Sequence, residues 1–148
     1  MAEIQVFFDG SCGPWNPGGA MGWGAVIHLP GKPKMELKGR CPAGRENSNN
    51  LAEYLALKLA LETLLEIGLE NEAIRIRGDS MLVIRQMQRK WKIKNGRYSE
   101  CARAVLAMTS RFPLLRFEWI NREWNAEADG LSADGPRGNG GRPHRRKS

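Results

Sequence analysis

Apolar residues along this chain alternate, cluster and recur at spacings that divide it into nine elements. Residues 3–9, with Ile4, Val6 and Phe8, read as a strand, as do residues 20–29 and 34–41. Gly18-Gly19 and Pro30-Gly31-Lys32-Pro33 separate these runs as turns, the second short enough for a hairpin. Residues 50–67 place Leu51, Leu55, Ala56, Leu59, Leu64 and Leu65 among Ala52, Leu57, Ala60 and Leu61. That segment is apolar nearly all round, which predicts a helix largely covered by a sheet, with Gly68 as its C′ residue. A short strand over 73–78 follows, then helices over 80–89 and 97–110, a strand over 115–120 and a helix over 125–133. The order β-β-β-α-β-α-α-β-α predicts an α/β fold. Its mixed five-stranded sheet would combine a three-strand antiparallel meander with two strands from crossover units, flanked by helices.

Length and charge refine this picture. A chain of 148 residues suits one domain, expected over residues 1–134. From Gly135 onward glycine, proline and arginine replace anything apolar enough to anchor the chain, so 135–148 reads as a disordered basic tail. Of the net charge of +7, the last fourteen residues carry +5. In the body, Arg85, Arg89, Lys90, Lys92, Lys94 and Arg97 form a run of six cations uninterrupted by acid, the footprint of a polyanion partner. No stretch approaches about 18 uninterrupted apolar residues, so no membrane span is expected. Glu3, Gln5 and Asp9 break the pattern of a signal peptide. Cys12, Cys41 and Cys101 match no zinc spacing and read as free thiols of a cytoplasmic monomer.

Four acids stand at the tips of different elements. Asp9 closes the first apolar run, Glu53 opens the long helix, Asp79 follows the fourth strand, and Asp129 lies one turn into the last helix. Gathered together they would repel unless divalent cations joined them, and hard oxygen ligands suit Mg²⁺ or Mn²⁺. Such clusters serve phosphoryl chemistry. Each acid also has a structural reading. Asn50 to Glu53 has the spacing of a capping box, Asp79 could N-cap the helix after it, Asp129 suits a solvated helix start, and Asp9-Gly10 is a common strand-to-turn pair.

With the element order, four motifs resemble type 1 ribonuclease H. They are Phe8-Asp9-Gly10-Ser11-Cys12 with Asn16-Pro17-Gly18, then Asn49-Asn50-Leu51-Ala52-Glu53, then Gly78-Asp79-Ser80, and last Asn125-Ala126-Glu127-Ala128-Asp129-Gly130-Leu131-Ser132. The resemblance spans residues 4–133. It implies an endoribonuclease that hydrolyses the RNA strand of an RNA/DNA hybrid, leaving 3′-hydroxyl and 5′-phosphate ends. Asp9, Glu53, Asp79 and Asp129 would hold two Mg²⁺ ions with substrate bound, with Mn²⁺ as the substitute. It further implies that Gly10, Ser11, Cys12, Asn16, Ser48, Asn49, Asn50 and Ser80 line the hybrid, Ser48 gripping a DNA phosphate. Trp91, among the lysines, reads either as an aromatic that stacks on the DNA strand or as a helix-end residue packed on the core.

Three departures from the family pattern stand out. The basic protrusion that many members carry after the helix following the third acid is missing, because residues 90–95 pass quickly into the next helix. Residues 121–125 hold no histidine where many members have one. Met81 replaces a glutamine common two residues after the third acid. Two rival readings are a non-catalytic hybrid-binding module on the same fold and an acid-cluster exonuclease or transposase-like nuclease on a related one.

Overall fold

The computed structural model describes residues 2–133, so the expected tail lies outside the described residues. Its elements are β1 (Ile4–Gly13), β2 (Ala20–His28), β3 (Met35–Cys41), α1 (Asn49–Glu66), β4 (Ile74–Gly78), α2 (Met81–Met87), α3 (Ser99–Met108), β5 (Leu115–Trp119) and α4 (Ala126–Ala133). Short 3₁₀ turns follow α3 and precede α4. The sheet order is β3-β2-β1-β4-β5, with β1–β2 and β2–β3 antiparallel and β1–β4 and β4–β5 parallel. This is the expected element order and a mixed five-stranded sheet. No helix intervenes between α2 and α3, as expected of a compact form. Among the described residues no helix is long and apolar enough to cross a membrane. No disulfide joins the three cysteines.

One boundary needs correction. The first strand does not close at Asp9 but runs on to Gly13. Residues 10–13 carry little apolar signal, yet they keep pairing with β2 through Gly13↔Ala20. The parallel neighbour β4 leaves β1 earlier, at Phe8↔Gly78. Past that pair the β4 side of β1 is open, and Asp9 and Asp79 are the first residue beyond it on each strand. The ends of parallel strands are a common place for ligand chemistry, because side chains from separate strands converge there.

Alternation along β1 sends even and odd residues to opposite faces. Ile4, Val6 and Phe8 join Ile74, Ile76, Leu57, Leu61, Leu64, Val83, Ile84 and Val105 in the main core under α1, α2 and α3. Gly10 continues that face, and a Cβ there would lie 2.2 Å from the Ala52 carbonyl carbon. Only glycine allows α1 to approach β1 so closely. On the other face α4 packs on β2 and β1. There Gly24, the partner of Asp9, leaves room for Leu131, whose Cβ would be 2.4 Å from an added Cβ. Two helix layers thus meet the sheet at the same level, one on each side of the β1–β4 gap.

Candidate active site

Asp9, Glu53 and Asp79 converge at that gap, each offering a carboxylate oxygen within 4.8 Å of the others. Asp9 is 0 % and Glu53 5 % exposed, while Asp79 is half-buried. Burial of like charges at this range is costly unless a cation neutralises them, and three hard oxygen donors fit Mg²⁺ or Mn²⁺. Asp129 is half-buried on α4 and is not part of the group drawn within 4.8 Å. It sits one turn before Ser132, which bonds Asp9.

Each of the three carboxylates has one oxygen oriented by a hydrogen bond from the chain. Ser132 Oγ donates to Asp9 Oδ2 at 2.9 Å, Gly10 N–H to Glu53 Oε1 at 2.9 Å, and Asn125 Nδ2 to Asp79 Oδ2 at 3.3 Å. Asn125 Nδ2 also donates to the Phe8 carbonyl at 2.8 Å, tying the start of α4 to β1. Trp119 Nε1 holds the Asp79 carbonyl at 3.1 Å from the β5 side. Such supporting bonds fix ligand geometry around metal sites. Asn125 and Ser132 lie inside the last motif, yet nothing in the sequence distinguishes them as supports of the acids.

The structural readings of two acids fail on geometry. The N-cap of α1 is Ser48, whose Oγ accepts from Leu51 N–H at 3.1 Å, and the Glu53 carboxylate reaches β1 rather than the helix start. The N-cap of α2 is Ser80, accepting from Val83 N–H at 3.2 Å, so Asp79 does not cap it. The hydroxyl oxygens of Ser48 and Ser80 therefore already serve as caps.

Beside the acids, asparagines weld the β1–β2 loop to the N-terminus of α1. Asn49 Oδ1 accepts from Cys12 N–H at 2.7 Å, and Asn16 Oδ1 accepts from Asn49 N–H at 2.9 Å. Buried Asn47, which the sequence did not single out, donates to the Gly19 and Pro42 carbonyls at 2.8 and 2.9 Å. Asn16 is exposed, and Asn49 and Asn50 are half-exposed. The side chains of Ser11 and Cys12 face inward. Ser11 is 0 % exposed and donates to the Ser132 carbonyl at 3.3 Å, bracing α4, and Cys12 Sγ turns to the Trp15 carbonyl at 3.1 Å. Trp91 is 48 % exposed and follows the C-terminal end of α2, whereas Asp79 precedes its N-terminal end.

Known proteins resemble this chain in sequence and in fold. Residues 8–135 match the family model described as reverse transcriptase-like. The bifunctional protein Rv2228c of Mycobacterium tuberculosis is 33 % identical over 119 residues, covering 80 % of this chain and 32 % of the relative. This chain thus spans about a third of the length of that relative. Ribonuclease HI of Halobacterium salinarum is 37 % identical over 90 residues, 60 % of this chain and 42 % of that protein. Among solved structures, LC11-RNase H1 in complex with an RNA/DNA hybrid superposes with a TM-score of 0.78 at 33 % identity, covering 90 % of this chain and 96 % of that one.

Proposed function

The chain belongs to the reverse transcriptase-like family, with the fold of a type 1 ribonuclease H, and on that premise we propose that it hydrolyses the RNA strand of RNA/DNA hybrids. The observation that carries this reading is the convergence of Asp9, Glu53 and Asp79 within 4.8 Å at the open end of the parallel β1–β4 pair. In this reading cleavage is endonucleolytic and leaves 3′-hydroxyl and 5′-phosphate ends. Asp9, Glu53, Asp79 and Asp129 hold two divalent cations, Mg²⁺ or Mn²⁺, when substrate is bound. Bound there, the cations supply Lewis-acid polarisation and neutralise charge on the phosphate.

The chain's own residues prepare that chemistry. Ser132, Gly10 and Asn125 each restrain one carboxylate, so the acids need little reorganisation when charge develops beside them. The segments tied together by Asn16 and Asn49, with Asn50 next in the chain, offer amide groups that sense a 2′-hydroxyl, a group that both donates and accepts. The hybrid bound to LC11-RNase H1 supports this choice of substrate. Residues 1–134 are proposed to carry the activity, with the basic tail adding affinity alone.

The test is direct. Labelled hybrid, double-stranded RNA, single-stranded RNA and duplex DNA are each incubated with Mg²⁺, Mn²⁺ or EDTA, and the product ends are mapped. Metal-dependent cutting of RNA within the hybrid is expected. Cutting of duplex DNA at equal rate, or cutting that survives EDTA, defeats the proposal.

A further inference from the structure

The six-cation run forms a built surface. After α2 the chain turns at Arg89, whose φ of 63° is left-handed, while the amides of Lys90 and Trp91 return to the Arg85 carbonyl at 2.9 and 3.2 Å. Beneath the turn lies Gln86, 1 % exposed. Its Oε1 accepts from Tyr54 OH at 2.6 Å, and its Nε2 donates to the Lys92 carbonyl and to Tyr98 OH, both at 3.0 Å. Tyr98 stacks on Tyr54 with centroids 5.9 Å apart. A buried amide with all these bonds made holds the segment in one shape.

On this scaffold opens a cavity of about 540 Å³ lined by Arg89, Lys90, Trp91, Lys92, Ile93 and Arg103, with Leu106 completing its apolar part. Its volume falls in the range of small-ligand sites, about 300–1,000 Å³. Trp91 also lines a second cavity of about 370 Å³ with Leu82, Lys94 and Tyr98, so the indole borders both. Among the described residues, none of Arg89, Lys90, Lys92 and Arg103 pairs with a carboxylate. The Arg103 guanidinium donates to Asn95 Oδ1 at 2.9 Å. Four unneutralised cations around an open indole suit a ligand that is both anionic and flat.

We propose that this cavity binds an unpaired nucleotide of a DNA strand that continues beyond the hybrid as a single strand. Its base would stack on Trp91 while its phosphates meet Arg89, Lys92 and Arg103. A paired base cannot enter a concave site, because both its faces and its hydrogen-bonding edge are engaged in the duplex, whereas an unpaired one presents its π-face. The helix α2, seven residues and about 10 Å long, separates Asp79 from the turn that carries the cavity, so a strand passing the acids meets the cavity several nucleotides further on. The enzyme is thereby fitted to junctions between hybrid and single-stranded DNA. Stacking of this kind contributes about a five- to 150-fold gain in affinity per base.

The source of the strand rests on the hybrid reading above, but the binding does not. Fluorescence anisotropy of a labelled octathymidylate, dT8, is measured in EDTA, where no strand is cut. Trp91→Ala is expected to weaken dT8 binding roughly tenfold, and Trp91→Phe to restore most of it. An eight-nucleotide DNA overhang, tested as 5′ and as 3′ extension, is expected to tighten hybrid binding in the parent protein for one polarity and to give no gain in Trp91→Ala. If Trp91→Ala binds dT8 within twofold of the parent while melting normally, or the overhang gain persists in that variant, the pocket proposal is overturned. Absence of hybrid cleavage in the earlier assay removes the hybrid as source and leaves the dT8 result standing.

Discussion

The Gly10 amide donates to Glu53 Oε1 at 2.9 Å, and the Gly10 Cα lies so close to α1 that a Cβ would fall 2.3 Å from the Glu53 amide nitrogen. The same contact that brings the second carboxylate to the first strand also excludes any side chain at Gly10. The obstacle is backbone on both sides, so it cannot be relieved by a rotamer change. Gly10→Ala is therefore expected to push α1 off β1 at a cost of about 3 kcal/mol, at the upper end of ordinary overpacking. Urea denaturation reads the cost, and cleavage should fall with it because Glu53 leaves the group. A variant of parental stability would show that α1 can slide freely at this point.

Glu53→Gln separates a metal ligand from a latch. The amide oxygen of Gln can still accept from Gly10 N–H, so the strand–helix tie survives, weakened from a charge-assisted to a neutral hydrogen bond. The weaker bond costs about 1 kcal/mol, offset by the relief of repulsion from Asp9 and Asp79, so the net change in apo stability should be within about 1 kcal/mol. Cleavage of hybrid should nevertheless collapse, because the substitution removes an anion from the cluster. Full activity in this variant would reduce Glu53 to the latch alone.

The sequence made Asp9, Glu53 and Asp79 legible because each adjoins an element with a strong apolar pattern. The β1 extension was hidden, since residues 10–13 are held by pairing with β2 and by glycine-permitted contact, neither of which leaves a periodic trace. Ser48 as the α1 cap was masked by Asn49 and Asn50, which are equally good capping types. Nothing local to Ser11 tells that α4 returns 121 residues later to cover it. Gln86 shows the same limit in another form. A polar residue on an amphipathic helix reads as solvated, and only the tertiary structure brings Tyr54, Lys92 and Tyr98 to its amide. Local pattern predicts elements well, but partners distant in sequence decide which polar groups are buried.

Arg89 holds a left-handed backbone conformation that a side chain disfavours. Arg89→Gly relieves that strain, partly offset by the greater freedom of glycine in the unfolded chain. A net gain of about 0.5–1 kcal/mol is expected in urea titrations. The same change removes one cation from the cavity beside Trp91. Binding of dT8 should therefore weaken, with its log–log salt slope reduced by about 0.7. Stability and affinity thus move in opposite directions, an outcome that general misfolding cannot produce.

Asp9→Asn and Asp79→Asn test the cluster itself through two readouts. Without metal, each removes one of three converging negative charges, while an Asn oxygen can still accept from Ser132 or Asn125. Apo stability should stay level or rise, as repulsion among the remaining acids falls. With metal the expectation reverses. A cation that binds the folded parent but not the unfolded chain raises stability by an amount that grows with its concentration, about 2.7 kcal/mol at a hundredfold excess over Kd. Mg²⁺ titration should therefore raise the melting temperature of the parent and move that of either variant much less. Cleavage should disappear in both. The two readouts guard one another, because a variant that merely unfolds loses activity and apo stability together, whereas a lost ligand costs activity and the Mg²⁺-dependent rise alone. Near-normal cleavage by either variant at saturating Mg²⁺ would mean that the three converging carboxylates are not the reactive centre.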